Sequence, residues 1–308
     1  MKYILIFSLS FCVSMYSFCQ QYSKCWKDLN YAGDTLKFHN LDIYLPKEPK
    51  ASYPVIISIY GSAWMANNMK GADLSILGKP LLDAGFAVVV PNHRSSMDAK
   101  FPAQINDIKA VIRFVRANAA KYQFDTTFIG ITGSSSGGNM AAMAGTSRYI
   151  KSYTIGKTTV DLEGDLGSYT NYSSSVNAVV DWFGPTNMLL MDSCGGTDFI
   201  HNSATSPASL YIGGAIQENK EKTLLASPTT YINANNPPFL IFHGDKDRVV
   251  PHCQSEIFYQ ALQKAKVQSQ FYLVPEGQHG PGVQKEPYLK MMVDFFVAEL
   301  NKTRDQTK

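Results

Sequence analysis

Short apolar runs alternate with longer mixed ones along most of this chain. Residues 55–60, 86–90, 128–131, 176–182, 239–243 and 270–274 are nearly continuous in apolar character, a pattern that predicts buried strands; an earlier strand is predicted over 36–44. Between them, residues 74–84, 103–122, 254–265 and 288–300 predict helices. In the second of these, Ile105, Ile108, Val111, Ile112 and Val115 recur at helical spacing, so they form a core-facing stripe. Strand, crossover helix and strand in repetition give a mostly parallel sheet covered on both faces, the α/β class. Two stretches, 147–175 and 186–237, lack any period. Long irregular segments of this kind are usually functional or disordered, and both are expected to rise over the C-terminal edge of the sheet. The first carries Tyr149, Tyr153, Tyr169 and Tyr172, and the second Phe199, His201 and Tyr211. Aromatics there either stack on a sugar or phenolic ring or pack the loops down.

The N-terminus departs from this pattern. Lys2 precedes an apolar stretch over 3–15, too short for the ~20 residues of a membrane span. Ser17 and Cys19 supply small residues before a cleavage point at Gln20, so residues 1–19 read as a signal peptide and 20–308 as one mature domain, secreted or periplasmic. A lipoprotein signal acylated at Cys19 is the minority reading, because the bulky Phe18 precedes that cysteine. No second apolar run is long enough to span a membrane. The formal net charge of +3 is spread along 308 residues without a basic tract, which argues against nucleic acid as partner. No histidine or cysteine pair has metal spacing and no phosphate-binding loop is present, so neither metal nor cofactor is expected. Past the signal remain Cys25, Cys194 and Cys253, enough for one internal bridge; Cys194 and Cys253 fall in loops expected at the same sheet edge and are the expected pair.

The chemistry concentrates in Gly130-Ile131-Thr132-Gly133-Ser134-Ser135-Ser136-Gly137-Gly138-Asn139. Read as Gly-x-Ser-x-Gly between a strand and a helix, it puts Ser135 on a sharp turn with its hydroxyl exposed above the sheet. The glycines allow backbones to approach where a side chain would collide. A serine nucleophile requires a base, and the base an orienting acid. Downstream, the strand at 239–243 ends in Gly244-Asp245-Lys246-Asp247, and the strand at 270–274 is followed by Glu276-Gly277-Gln278-His279-Gly280. The order serine, carboxylate, histidine, each just past a strand's C-terminal end, is the order of α/β-hydrolase triads. After the strand at 55–60, Gly61-Ser62-Ala63-Trp64 offers the backbone N–H groups of Ser62 and Ala63 as oxyanion donors, together with that of Ser136.

These motifs resemble the α/β-hydrolase superfamily, and within it the secreted carboxylesterases related to hormone-sensitive lipase and to bacterial acetyl and feruloyl esterases. The resemblance runs over about 41–300. The family's His-Gly-Gly-Gly-Trp loop is similar to Tyr60-Gly61-Ser62-Ala63-Trp64, and its Tyr-Arg-Leu-Ser segment to His93-Arg94-Ser95-Ser96. Its Phe-Pro-Ala-Gln helix is matched by Phe101-Pro102-Ala103-Gln104 with Asp107, Ala110 and Arg113, and its His-Gly-x-x-Asp-x-x-Val-Pro motif by 243–251. The resemblance implies an α/β-hydrolase fold with Ser135, Asp247 (rather than Asp245) and His279 as catalytic residues. It also implies hydrolysis of short-acyl or feruloyl esters, of carbohydrates or small molecules, through an acyl-enzyme. This chain departs from the pattern at Tyr60, Ser62, Ser134 and Ser136, where the relatives carry His, Gly, Asp or Gly, and Ala. Few residues precede the oxyanion loop, so no large N-terminal cap and an open site are expected. Two other readings stand beside this one: a serine peptidase of the prolyl-oligopeptidase type, and a non-catalytic binding protein on a hydrolase scaffold.

Overall fold

The structure, a computed structural model, describes residues 22–306; the expected signal peptide and Cys19 lie outside the described residues. In chain order the strands are β1 (Cys25–Asn30), β2 (Asn40–Tyr44), β3 (Tyr53–Ile59), β4 (Ala87–Pro91), β5 (Phe124–Ser134), β6 (Ser152–Ile155), β7 (Thr158–Asp161), β8 (Ala178–Trp182), β9 (Phe239–Gly244) and β10 (Ser269–Val274). Eight of them form one sheet in the spatial order β1-β2-β4-β3-β5-β8-β9-β10. The first two strands pair antiparallel and the other six run parallel. A separate hairpin joins β6 and β7.

The period of two along the strands divides the core in two. Val55, Ile57 and Ile59 face the helices Ala103–Ala117 and Ser136–Thr146, while Ile56 faces Leu77, Leu81 and the last helix, Tyr288–Gln306. Strand positions follow the apolar runs. β1 is the exception: Lys27 and Asp28 interrupt Trp26 and Leu29, as suits an edge strand with a solvated face. The strand expected over 36–44 begins only at Asn40, because Lys37–His39 forms a 3₁₀ turn. The helix expected at 74–84 opens as a single π-helical segment, Leu74–Gly78.

The stretch 147–175 does not cover the part of the C-terminal edge that holds Ser135, which corrects the expectation from the sequence; it reaches that edge only on the β1 side, where Asp161 and Gly164 meet Asn106 and Gly167 meets Tyr31. The helix Ser136–Thr146 runs back against the strand direction for 11 residues, roughly 16 Å, and releases the chain at the opposite edge. There the stretch folds over the helix Ala103–Ala117, whose Lys109 and Arg113 are buried and reach Glu163 at 3.3 and 2.6 Å. Its tyrosines pack locally: Tyr153 edge-on to Tyr231 at 5.2 Å, and Tyr169 against Phe114 at 6.1 Å. The second stretch, 186–237, does cover the C-terminal edge. It holds three short α-helices, Met191–Cys194, Pro207–Ile212 and Lys220–Leu225, and a Cys194–Cys253 disulfide ties it to the helix Cys253–Lys264. Among the described residues no helix is long and apolar enough to cross a membrane.

Candidate active site

Between β5 and the helix that follows, Ser135 adopts φ 55° and ψ −122°. A non-glycine residue in that region stores of order 1–3 kcal/mol and persists only where its surroundings enforce it. The enforcement is visible. A Cβ on Gly133 would lie 2.3 Å from the Gly137 carbonyl oxygen, and one on Gly137 would lie 2.3 Å from that of Ile59. The Ser135 N–H donates to the Trp182 carbonyl at 2.8 Å, which fixes the turn to the end of β8.

The loops after β9 and β10 bring the partners. They touch so closely that a Cβ on Gly244 would lie 2.1 Å from the Gly277 carbonyl oxygen. His279 Nε2 stands 2.9 Å from Ser135 Oγ, and His279 Nδ1 stands 2.7 Å from Asp247 Oδ2. The carboxylate can only accept, so Nδ1 carries the proton and Nε2 is free to accept from the serine hydroxyl. Asp247 is 4% exposed, and its Oδ1 accepts from the N–H groups of Val249 and Val250 at 2.8 and 2.9 Å. Burial alone would raise the Asp247 pKa; hydrogen bonds from His243 and His279 outweigh it and hold the carboxyl well below the usual range. Asp245 does not reach His279: its N–H donates to the Val274 carbonyl, and Lys246 lies 3.8 Å from its carboxylate. The structure thus unites Ser135, His279 and Asp247 and leaves Asp245 aside.

In the loop after β3 the strain falls one residue later than the glycine-to-serine change implied. Ala63 and Trp64 take φ 52° and 58°, whereas Ser62 has no positive φ. The Trp64 carbonyl accepts from Ser96 N–H at 2.7 Å, and its ring stacks on Tyr211 at 4.4 Å. Tyr60 stacks on His93 at 4.8 Å, and its hydroxyl donates to the Ala66 carbonyl at 3.1 Å. The three expected oxyanion donors meet here in unequal states. Ser62 N–H already donates to Ser136 Oγ at 2.9 Å, whereas the N–H groups of Ala63 and Ser136 have no hydrogen-bond partner among the described residues. The Ser136 N–H also opens a helix, where the peptide dipoles favour negative charge.

A cavity of about 530 Å³ adjoins Ser135, Ser136 and Ala63. Its far wall comes from the second irregular stretch, expected at this edge: Met191 and residues from Asp198 to Ala208, Phe199 and His201 among them. Asp192 shapes that wall by accepting from the N–H groups of His201 and Asn202 at 2.7 and 2.8 Å, and Arg248 pairs with Asp198. Phe199, 54% exposed, stands at the rim. His279 is not part of the lining. Two further carboxyls flank the turn. Ser134 Oγ donates to Asp73 Oδ2 at 2.6 Å, and burial raises the Asp73 pKa. Asp181, fully buried beneath Gly138, accepts from Gly184 N–H at 2.9 Å; burial pushes its pKa up to about 7.

A strained serine at a strand-to-helix turn, above a mostly parallel eight-stranded sheet and in register with a histidine and a carboxylate, defines the α/β-hydrolase fold class. The family is equally definite. The chain belongs to the BD-FAE family, whose model matches residues 41–262. It is similar to the structure described as a truncated form of carbohydrate esterase from gut microbiota, with 50% identity, a TM-score of 0.88, and coverage of 91% of this chain and 97% of that one. It is also similar to a bifunctional GH43-CE protein of Bacteroides eggerthii, with 55% identity and a TM-score of 0.86 over 89% of this chain and 35% of that one. Among curated proteins, esterase LipQ of Mycobacterium tuberculosis is 28% identical over 232 residues, 75% of this chain and 51% of the relative. The probable carboxylic ester hydrolase LipM of the same organism is 26% identical over 90% of this chain and 62% of its own length. The chain therefore spans roughly half to three-fifths of these curated relatives.

Proposed function

We propose that this protein is a serine carboxylic-ester hydrolase that works through an acyl-enzyme. The observation that carries the reading is the hydrogen-bonded chain from Ser135 Oγ through His279 to Asp247, at 2.9 and 2.7 Å. As Ser135 Oγ attacks the ester carbonyl carbon, its proton passes to His279 Nε2. Asp247 holds the imidazole in place and stabilises its charged form. The N–H groups of Ala63 and Ser136 stabilise the tetrahedral oxyanion. His279 then protonates the leaving alcohol and the C–O bond breaks, leaving the acyl group on Ser135. Water enters, gives its proton to His279 and attacks the acyl carbon; the proton returns to Ser135 Oγ as the acid leaves. Every step uses this chain's own side chains and backbone.

Esters carried by carbohydrates are the proposed substrates, with acetyl or feruloyl as the acyl group. Similarity at 50% identity to a carbohydrate esterase supports the sugar. The leaving group must lie beside His279, which stands outside the cavity, so the cavity takes the acyl group. Its volume of about 530 Å³ accommodates a phenolic acyl chain as well as acetyl. The tyrosines of 147–175 drop out of this role because none lines the cavity; Phe199 and Trp64 are the aromatic surfaces that remain. Secretion or export to the periplasm completes the proposal, and the Cys194–Cys253 disulfide supports it, since such bonds persist in oxidising compartments.

A fluorophosphonate probe and p-nitrophenyl acetate test the mechanism together. The wild type labels on Ser135 and turns the ester over, and Ser135→Ala does neither. An unlabelled wild type without ester turnover would defeat the proposal.

A further inference from the structure

Ser136 occupies an unusual place for a side chain. The Ser62 N–H, one of the three backbone donors around the site, points at Ser136 Oγ from 2.9 Å. The hydroxyl therefore sits where an oxyanion would accept from Ser62. Ser136 is 1% exposed, so the hydroxyl that accepts this bond is itself buried. The hydroxyl accepts this one bond, and among the described residues its own proton has no acceptor. The next atoms along the chain are the Ser136 N–H, without a partner, and Ser135, whose Oγ carries the attack. Both serines border the cavity that receives the ester.

We infer that the Ser136 hydroxyl is itself an oxyanion donor, a catalytic residue that hands the polarisation of the Ser62 N–H on to the developing negative charge. The inference rests on the ester-hydrolase reading above. An anion accepting from the Ser136 N–H lies within reach of the hydroxyl of the same residue. The Ser62 N–H donating into Oγ draws electron density from the O–H bond and strengthens it as a donor, the cooperativity of a hydrogen-bond chain. The hole then has two direct N–H donors, from Ala63 and Ser136, and one hydroxyl donor, with Ser62 behind it. The alternative gives the hydroxyl no part: it would plug the Ser62 N–H in the free protein and turn away when substrate binds. The two accounts differ in sign. Removing a donor slows the reaction, whereas removing a plug leaves the rate unchanged or raises it.

The test is Ser136→Ala, which deletes the hydroxyl and keeps the backbone N–H. Steady-state rates on p-nitrophenyl acetate are read beside the inhibition constant of a trifluoromethyl ketone, whose adduct with Ser135 carries a tetrahedral oxyanion. The donor account gives a fall in kcat of roughly a hundred- to a thousandfold, the scale on which single oxyanion donors act. KM stays nearly constant, and the ketone's inhibition constant rises by the same factor as kcat/KM falls. Fluorophosphonate labelling to full stoichiometry ties the loss to rate rather than to unfolded protein. An unchanged or faster kcat, or a ketone affinity that does not follow kcat/KM, overturns the inference. Absence of labelling and turnover in the wild type would instead defeat the underlying reading, a separate result.

Discussion

His243 Nε2 lies 3.2 Å from Asp247 Oδ2, so the carboxylate that orients His279 is held by a second histidine on its other side. His243 is fully buried at the end of β9. Its Nε2 also faces the Val250 carbonyl at 2.9 Å, and its Nδ1 meets Ser255 Oγ at 2.7 Å. With only acceptors before it, Nε2 carries the proton, and the Ser255 hydroxyl donates to Nδ1. Asp247 thereby receives hydrogen bonds from Val249, Val250, His279 and His243, which explains how a buried carboxyl stays ionised.

His243→Phe removes the fourth donor and leaves a buried carboxylate under-satisfied. A hydrogen bond to a charged group contributes about 1.5–3 kcal/mol, so kcat should fall roughly tenfold or more while KM changes little. His243→Gln, whose amide nitrogen can replace Nε2, should recover part of the loss. The check is a double-mutant cycle with Asp247→Asn. If His243 acts by holding Asp247, its substitution costs little more once Asp247 is altered; independent, additive losses would assign it a role in packing alone.

Asp247→Asn should cost about 10⁴ in kcat, because an amide favours the wrong histidine tautomer. Asp245→Asn should leave kcat within a few-fold, since the Asp245 carboxylate faces Lys246 rather than His279 and its backbone N–H, which donates to the Val274 carbonyl, is unchanged. Comparable losses in the two variants, measured on the same ester, would mean that the acid lies elsewhere.

Asp181 links stability to pH. It is fully buried, its Oδ2 has no hydrogen-bond partner among the described residues, and its pKa is pushed up to about 7 by burial. The folded protein therefore holds a proton that the unfolded chain releases near its ordinary value of about 3.9. Between those values the folded state binds more protons, so stability falls as pH rises from about 4 to 7 and stays reduced above it. Asp247 acts in the opposite sense: its lowered pKa contributes stability that is present above about 4 and lost on further acidification. Asp181→Asn keeps an acceptor for Gly184 N–H and cannot ionise. Thermal melts should show a higher Tm than the wild type at pH 8, by about 2–4 °C for each kcal/mol relieved, and no gain at pH 4. A gain of equal size at both pH values would show that ionisation of Asp181 is not what costs stability.

What the sequence disclosed followed its periodicity. The parallel strands and the turn at Ser135 were legible because apolar runs and glycines record local constraints. β1 was hidden because an edge strand needs only Trp26 and Leu29 on its covered face. The placement of 147–175 is not legible in the sequence because it depends on where the helix Ser136–Thr146 releases the chain. The contacts that refine the site join residues far apart in the chain. Ser62 and Ser136 are 74 residues apart, and no local pattern encodes their meeting. His243 and Asp247 are neighbours in sequence, but their contact depends on a turn whose carbonyl and N–H groups, at Val249 and Val250, become visible only once folded.

The cavity wall yields the last prediction. Met191 and the residues from Asp198 to Ala208 form it, and the Cys194–Cys253 bond fixes the adjoining chain to the helix that follows the Asp247 loop. Asp192, two residues before the disulfide, anchors the wall through the N–H groups of His201 and Asn202. Gly195 and Gly196, both at positive φ with open space where a Cβ would stand, leave the intervening turn without packing of its own. Opening the disulfide should therefore loosen the wall and leave Ser135, His279 and Asp247 in place. If the cavity receives the acyl group, a large acyl group that leans on the wall loses more than acetyl, which occupies only the region beside Ser135. The double variant Cys194→Ser/Cys253→Ser should lose roughly tenfold in kcat/KM on methyl ferulate and stay within about twofold on p-nitrophenyl acetate, mainly through KM for the ferulate. Phe199→Ala should shift the same ratio in the same direction. Equal losses on both esters would place the acyl group outside this cavity, and a loss confined to acetyl esters would reverse the assignment of its two sides.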